Sequence, residues 1–402
     1  MTHLFTRLAL LAALCLSAPR LSTAAAAGAE FFADGPLHRF EIQITATNLA
    51  ALREDPREYV PATVRADGRT YTNVGVHLKG VATFRPVDDQ PSLTLNFSKF
   101  APDQRFFGLR KIHLNNGKED PTFLRECLSA EVFSQAGVPT ARVALARTRL
   151  NGRELGPYVA IEGFTPEFLG RYFKDTGGNL YDSGFRLDIT EPLERLSGKK
   201  PDDWKDLRAL ADAARTTGLT PRWTQLARRL DTNSFARYLA MQVLTANWDG
   251  YATYKNNYRV YHDPTSDRLH FFPHGMDQTF AKPLTPLHPR WEGLVARAFM
   301  ETREGQALYR QQFGLLYTNV LHPAPLVGRV EELAARVRPV LAEQSAQRAV
   351  NYDRHVAELR RNLQQRDLFI AEQLAMTNWM EPPAPYQPPR RNGLGPARPA
   401  PR

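Results

Sequence analysis

Residues 247–280 read NWDGYATYKNNYRVYHDPTSDRLHFFPHGMDQTF, and this stretch decides how the rest of the chain is understood. An apolar helical pattern over residues 234–246 delivers the chain to Asn247-Trp248-Asp249-Gly250, where an acid beside glycine leaves the helix for a loop. Residues 258–262 read as a strand, Asp263-Pro264-Thr265-Ser266-Asp267 as a turn, and residues 268–272 as the returning strand. Asn257 sits just before the first strand and Asp277 shortly after the second, so an antiparallel hairpin places both at its open end. Asp249, eight residues before Asn257, folds back over the same end. Three oxygen-bearing side chains then converge, a donor set suited to a hard cation such as Mg2+ shared with phosphate oxygens. Asp and Asn are also common turn formers. The hairpin that joins the three residues is what carries the reading.

Working outward, residues 38–160 are strand-rich. VGVHLKG at 74–80 and PSLTLNF at 91–97 alternate apolar and polar positions, as half-buried strands do. Asn151-Gly152 marks a hairpin between RVALARTRL and GPYVAIEGF. One helix interrupts the strands, with Asp120-Pro121 as its predicted start and Gly137 as its end. Its stripe is Leu124, Cys127, Leu128 and Val132, and Glu131 falls on that stripe, where a carboxylate needs a partner. Beyond residue 190 the pattern turns helical, over 204–217, 221–230, 234–246 and a long stretch from 325 to 376. The fold class expected is α+β, with a smaller strand-rich lobe followed by a larger helical one.

Composition bounds the function classes. Apolar residues make up 43% of the 402, enough for a sizeable core. The formal charge of +10 falls to +5 once residues 1–27 (+2) and 381–402 (+3) are set aside, and that excess is spread along the chain. No nucleic-acid partner is expected from such a pattern. Residues 1–27 read as a secretory signal: Arg7, an apolar run over 8–18, then small residues at 24–27. The run is too short for a stable membrane span, so export to a periplasm, a cell surface or the medium is expected. Only Cys127 then remains, which leaves no internal disulfide. The Pro/Arg-rich tail 381–402 has no core pattern.

Acid, downstream Asn, hairpin and second acid is also the order of the catalytic and metal-binding segment of a protein kinase. At this point a resemblance becomes specific. The chain resembles the CotH (spore-coat protein H) kinase family in Asn247-Trp248-Asp249, in Asn257-Tyr258 and in Met276-Asp277-Gln278-Thr279-Phe280. Earlier landmarks agree in order: Leu78-Lys79-Gly80, Phe107-Gly108-Leu109, Leu114-Asn115-Asn116, Leu124-Arg125-Glu126, Gly137-Val138-Pro139, Gly156-Pro157-Tyr158 with Glu162, and Gly178-Asn179-Leu180-Tyr181. The resemblance covers roughly residues 38–375. It implies an atypical, bilobal protein-kinase-like fold, with an N-lobe over 28–160 and a C-lobe over 161–380. It also implies ATP with Mg2+ or Mn2+ as cofactors, and an exported or cell-surface protein Ser/Thr as acceptor. On that resemblance Asp249 takes the catalytic role, Asn257 and Asp277 the metal, and Glu162 a place beside the adenine.

Two departures stand out. Gly275 occupies the place of the first acid in a D-x-D that many family members carry, and Gln90-Pro91-Ser92 stands where a Lys often precedes Ser. Lys79, paired with Glu131, is the expected substitute phosphate-binding group. These departures leave open a catalytically impaired protein that keeps the kinase fold as a surface or envelope binding module. His270 and His274 are four apart but lie on a strand running into Pro273, which argues against a zinc pair. No Gly-rich phosphate loop and no G-x-S-x-G elbow is present.

Overall fold

The computed structural model of the chain describes residues 27–198, 203–376 and 380. The leader read at 1–27, except Ala27, and the tail read at 381–402 lie outside the described residues. The strand-rich region builds a closed seven-stranded barrel in the order β1-β2-β3-β4-β5-β7-β6. Its strands are β1 (His38–Gln43), β2 (Val60–Ala66), β3 (Arg69–Lys79), β4 (Ser92–Asn96), β5 (Lys111–Asn115), β6 (Val143–Leu150) and β7 (Arg153–Glu162). All neighbours are antiparallel except β1 and β6, whose parallel pairing from His38↔Ala146 to Ile42↔Leu150 closes the ring and leaves no edge. Helix α1 (Ala46–Glu54) links β1 to β2.

Local chemistry explains the hairpins. Asp67-Gly68 between β2 and β3 and Asn151-Gly152 between β6 and β7 all have positive φ, the backbone that two-residue hairpin turns demand. Alternation along the strands fills the barrel with Phe40, Ile42, Val64, Val76, Leu78, Leu93, Leu95, Leu114 and Tyr158, all buried. Phe31, Phe97 and Phe106 join this core, Phe106 stacking on Phe97 at 4.6 Å.

Helix α2 (Arg125–Gln135) crosses from the barrel to a second core. It starts later than Asp120-Pro121 predicts. Asp120 instead ties a turn, accepting from Thr122 N at 3.0 Å and from Arg125 N at 2.8 Å, so the acid organises the approach to the helix and Leu124 is the N-cap. After α3 (Pro166–Leu169) comes a four-stranded sheet in the order β11-β10-β8-β9, from β8 (Leu180–Asp182), β9 (Glu194–Ser197), β10 (Tyr258–Asp263) and β11 (Arg268–Pro273). Around it lie α4 (Lys205–Arg215), α5 (Leu219–Arg229), α6 (Thr232–Leu244), α7 (Tyr251–Tyr254), α8 (Leu294–Glu301), α9 (Arg303–Asn319), α10 (Pro323–Gln344) and α11 (Ala346–Ala375). The long helical stretch read from 325 to 376 is two helices, broken where the Ser345 side chain caps α11. Helices α8 and α9 were not foreseen. Among the described residues no helix is long and apolar enough to cross a membrane.

One buried cation ties the last helix to the middle of the chain. Arg366 on α11 donates through Nε to Leu244 O at 3.1 Å and through Nη1 to Pro283 O at 2.9 Å, and it also reaches the carbonyls of Val243 and Thr285. It thereby satisfies the carbonyl end of α6, where the helix dipole favours a cation. Arg366→Met keeps the apolar stem and strands those carbonyls. A loss of about 3 kcal/mol in unfolding free energy is expected in urea titrations; an unchanged midpoint would show that water replaces the guanidinium.

Candidate active site

Helix α6 ends at Leu244 and the loop behind it is set by its own backbone: Asn247 N donates to Gln242 O at 2.8 Å and Trp248 N to Ala246 O at 2.9 Å. Asp249 follows, and Gly250 is required next, because a Cβ there would lie 2.3 Å from Gln242 Nε2. The short α7 then turns the chain through Lys255 and Asn257, both with φ near +50°. This turn presents the two asparagine amides to one carboxylate. Asn257 Nδ2 donates to Asp249 Oδ2 at 2.7 Å, and Asn256 Nδ2 to Asp249 Oδ1 at 3.2 Å. The fold-back over the hairpin end is thus a direct contact between Asp249 and Asn257.

The hairpin delivers the other partner. Strands β10 and β11 pair from Tyr258↔Pro273 to Asp263↔Arg268, and His274 N extends the ladder to Asn257 O at 3.0 Å. Gly275 has φ +57°, and a Cβ on it would stand 2.9 Å from Asn257 Oδ1. With Asn257 placed as it is here, a side chain at 275 would have to displace the end of its amide. Past Asp277 the chain is clamped to α2 and its approach. Arg125 Nη1 donates to Thr279 O at 3.0 Å, Ser129 Oγ meets Thr279 Oγ1 at 2.7 Å, and Gln278 Nε2 donates to Glu119 Oε2 at 2.9 Å.

Electrostatics single out the same place. Burial pushes the Asp277 carboxyl up to about 7, and Asp120, Glu119 and Asp249 push it the same way, with Lys79 opposing. Glu126 is also raised, by burial first and then by Asp277, and its Oε2 is buried without a hydrogen-bond partner. Burial brings Lys79 down to about 8 while Glu126 and Asp277 hold it up. Burial raises Asp249 as well, which Asn256 counters. Asp249, Asn257 and Asp277 offer oxygen atoms only, in a setting with surplus negative charge, and that donor set fits a hard divalent cation. Among the described residues no group of three His, Cys, Asp or Glu is arranged to hold a metal ion by itself. The protein's own ligands would be completed by phosphate oxygens and water.

The remaining expected residues separate. Lys79, at the end of β3, donates to Asn115 Oδ1 at 2.8 Å and feels Glu126 and Asp277. Glu131 does not pair with it. Glu131 meets Arg329 of α10 at 2.8 Å, and both line a cavity of about 260 Å3 with Asp34, Cys127 and Arg142. The reason is helical phase: Glu126 and Glu131 lie roughly 140° apart around α2. Glu126 is the residue that sequence reasoning missed, although Leu124-Arg125-Glu126 was in view; its shared face with Ser129 is the available signal. Glu162 is wholly buried and committed to Arg142 at 2.7 Å and Arg171 at 2.5 Å, so its carboxylate fastens the end of β7 and has no oxygen to spare. Also unforeseen, Lys111 and His113 on β5 gather with Arg259 on β10 and with His274 near Lys79. Burial lowers both histidines, so they are neutral. Arg259 is held by Asp182 Oδ1 at 2.6 Å.

Gly275→Ala tests the steric account. The left-handed backbone and the contact with Asn257 should together lower unfolding free energy by about 1–2 kcal/mol. Denaturation at equal stability to wild type would mean that Asn257 moves aside freely.

A family model described as CotH kinase protein matches residues 76–377, a range holding every acid, amide and lysine of this site. The chain is 25% identical over 197 residues to the inner spore coat protein H of Bacillus subtilis strain 168, covering 46% of this chain and 53% of that protein. It is 28% identical over 187 residues to invasin CotH2 of Rhizopus delemar, covering 42% of this chain and 31% of that protein. The match thus spans about half or less of the curated relatives' length. Among solved structures, the HipA–HipB–operator DNA complex of Shewanella oneidensis MR-1 aligns over 83% of this chain and 73% of that one, at 12% identity and a TM-score of 0.34, too low to carry an argument. Since the family model takes in well over half of the sequence, the chain belongs to the CotH kinase family.

Proposed function

We propose that the chain is an exported, kinase-like phosphotransferase that passes the γ-phosphate of ATP to a protein Ser or Thr. The barrel side (28–160) and the helical side (161–380) act as its two lobes, and the cleft holds the nucleotide. The observation that carries the reading is the convergence of Asp249, Asn257 and Asp277 beside a lysine and a buried, partnerless Glu126 oxygen. Asp249 orients the acceptor hydroxyl and takes its proton. The new O–P bond forms as the bond to the β,γ-bridging oxygen breaks, and ADP leaves. Asn257 fixes the rotamer of Asp249 through Nδ2 and keeps its amide oxygen for the cation. Asp277 supplies the carboxylate ligand. Lys79 faces the phosphates, and Glu126 holds Lys79 in place. Asn257 and Asp277 would hold Mg2+ or Mn2+, which would offset the charge of the phosphates.

The second reading is a surface or coat binding protein that keeps the fold without the chemistry. It draws on the glycine at 275 and on relatives named as a coat protein and an invasin.

Calorimetry separates the two. Wild type should bind ATP in a Mg2+- or Mn2+-dependent manner, and Asp277→Ala should lose that dependence. Asp249→Ala should keep binding and lose about a hundredfold or more in transfer rate. No nucleotide binding by a folded sample with either metal would favour the second reading.

Protons and cation compete for Asp277, whose carboxyl is raised by burial and by the neighbouring acids. Mg2+ should therefore raise the melting temperature more at pH 8 than at pH 6. An equal rise at both values, or one that survives in Asp277→Asn, would remove Asp277 from the ligand set.

A further inference from the structure

The loop that carries Asp249 has a feature that the transfer chemistry leaves unused. Trp248 and Tyr254 meet edge to face with ring centroids 5.8 Å apart. Each ring also carries a cation. Lys282 Nζ lies 3.5 Å from the Trp248 centroid, and Arg186 Cζ lies 4.2 Å from that of Tyr254. The result is a continuous row, Lys282–Trp248–Tyr254–Arg186, assembled from three separate stretches of chain. Lys255 follows Tyr254 directly, in the left-handed backbone that ends α7.

Some of the surface cations are neutralised by acids. Arg147, Arg329, Arg336 and Arg338 all meet carboxylates. Arg186 and Lys282 are exposed, and neither they nor Lys255 form an ion pair among the described residues. A ring face holds a cation without neutralising it, so the row keeps its charge and still loses side-chain freedom. It also adjoins Asp249, since Trp248 is the residue directly before it in the chain. Phe185 and Leu284, one next to Arg186 and one close to Lys282 in sequence, are 52% and 65% exposed and add apolar contact.

We propose that this row seats the acceptor polypeptide and selects a Ser or Thr flanked by acidic residues. The inference rests on the reading of Asp249 as the group that receives the acceptor hydroxyl. An extended acidic segment presenting its hydroxyl to Asp249 would otherwise meet the repulsion of Asp249 and of the exposed Glu119. The row supplies opposite charge on the approach and rejects a basic flank by like charge.

The test uses the full chain and two fluorescein-labelled Gly/Ala peptides, each with one Ser, flanked on both sides by Glu or by Lys. Fluorescence anisotropy should show the Glu peptide bound at least about tenfold tighter than the Lys peptide at low salt, with the difference shrinking as salt is added. The double exchange R186E/K282E should reverse the order, and R186K/K282R should restore it. Thermal unfolding checks that the double variant folds; if it does not, the single Lys282→Gln on an exposed side chain should still weaken the Glu peptide about threefold. Equal or tighter binding of the Lys peptide by wild type, binding of neither, or an order indifferent to these substitutions would overturn the proposal. Transfer from labelled ATP is followed on the same samples. A Glu peptide that binds through the row but is never phosphorylated would sink the phosphotransferase reading and leave the peptide seat standing.

Discussion

Asp277 stands among Asp120, Glu119, Glu126 and Asp249, with the Lys79 ammonium set against them from the barrel. Like charges gathered at a buried point are costly, and proteins keep such arrangements where something else balances them. Two of these acids have local work that explains them. Asp120 ties the turn into α2, and Glu119 receives Gln278. Asp249 is held by two amides, which are neutral and fix its position more than its charge. For Asp277 and Glu126 the main opposing cation is Lys79. The surplus negative charge is therefore built into the positions of β3, α2 and the β11 end, and these three elements have to be held together for it to persist.

The means of holding them are visible in residues with no chemical role. Thr279 is gripped from α2 by Arg125 and Ser129, which sets Asp277 against Glu126. Phe280 N donates to Thr245 O at 2.8 Å and so joins the same strip to the end of α6. Arg366 then caps that end of α6 from a helix more than a hundred residues downstream. Asp249 and Asp277 are thus anchored to one point, the C-terminus of α6, from both sides. A site built this way keeps its geometry because its supports are backbone carbonyls gripped by buried side chains, Arg125 and Arg366 among them, that several hydrogen bonds hold in place.

How much of this was legible in the sequence follows from the range of the forces involved. The β10–β11 hairpin, the Asn151-Gly152 turn and the meeting of Asp249 with Asn257 are local, and their turn residues spell them out. Lys79 and Glu126 are separated in sequence by β4 and β5, and their proximity depends on how the barrel closes, which no spacing reveals. The pairing of Lys79 with Glu131 failed because α2 faces two directions: Glu131 looks to Arg329 on α10 and Glu126 to Asp277 and Lys79. Glu162 was placed near a ligand by its position in the chain, but Arg142 and Arg171 claim both its oxygens, and arginines distant in sequence leave no local trace. The late start of α2 has the opposite cause, since Asp120 is such a good acceptor that it folds a turn before the helix begins.

Gly275 looks like an erosion of the site when read as a lost acid, and the backbone gives it another meaning. Asn257 has φ +50° and Gly275 φ +57°, so two consecutive rungs at the open end of the hairpin both leave the strand region. The Asn257 amide then lies across Gly275, and its nitrogen reaches Asp249 at 2.7 Å. A side chain at 275 would push the amide away and free Asp249 to rotate. The glycine leaves room for the Asn257 amide, whose bond to Asp249 fixes the orientation of the carboxylate at 249. Since Asp277 already sits among more negative charge than Lys79 offsets, a further acid two residues away would raise its carboxyl higher still and work against its ionisation.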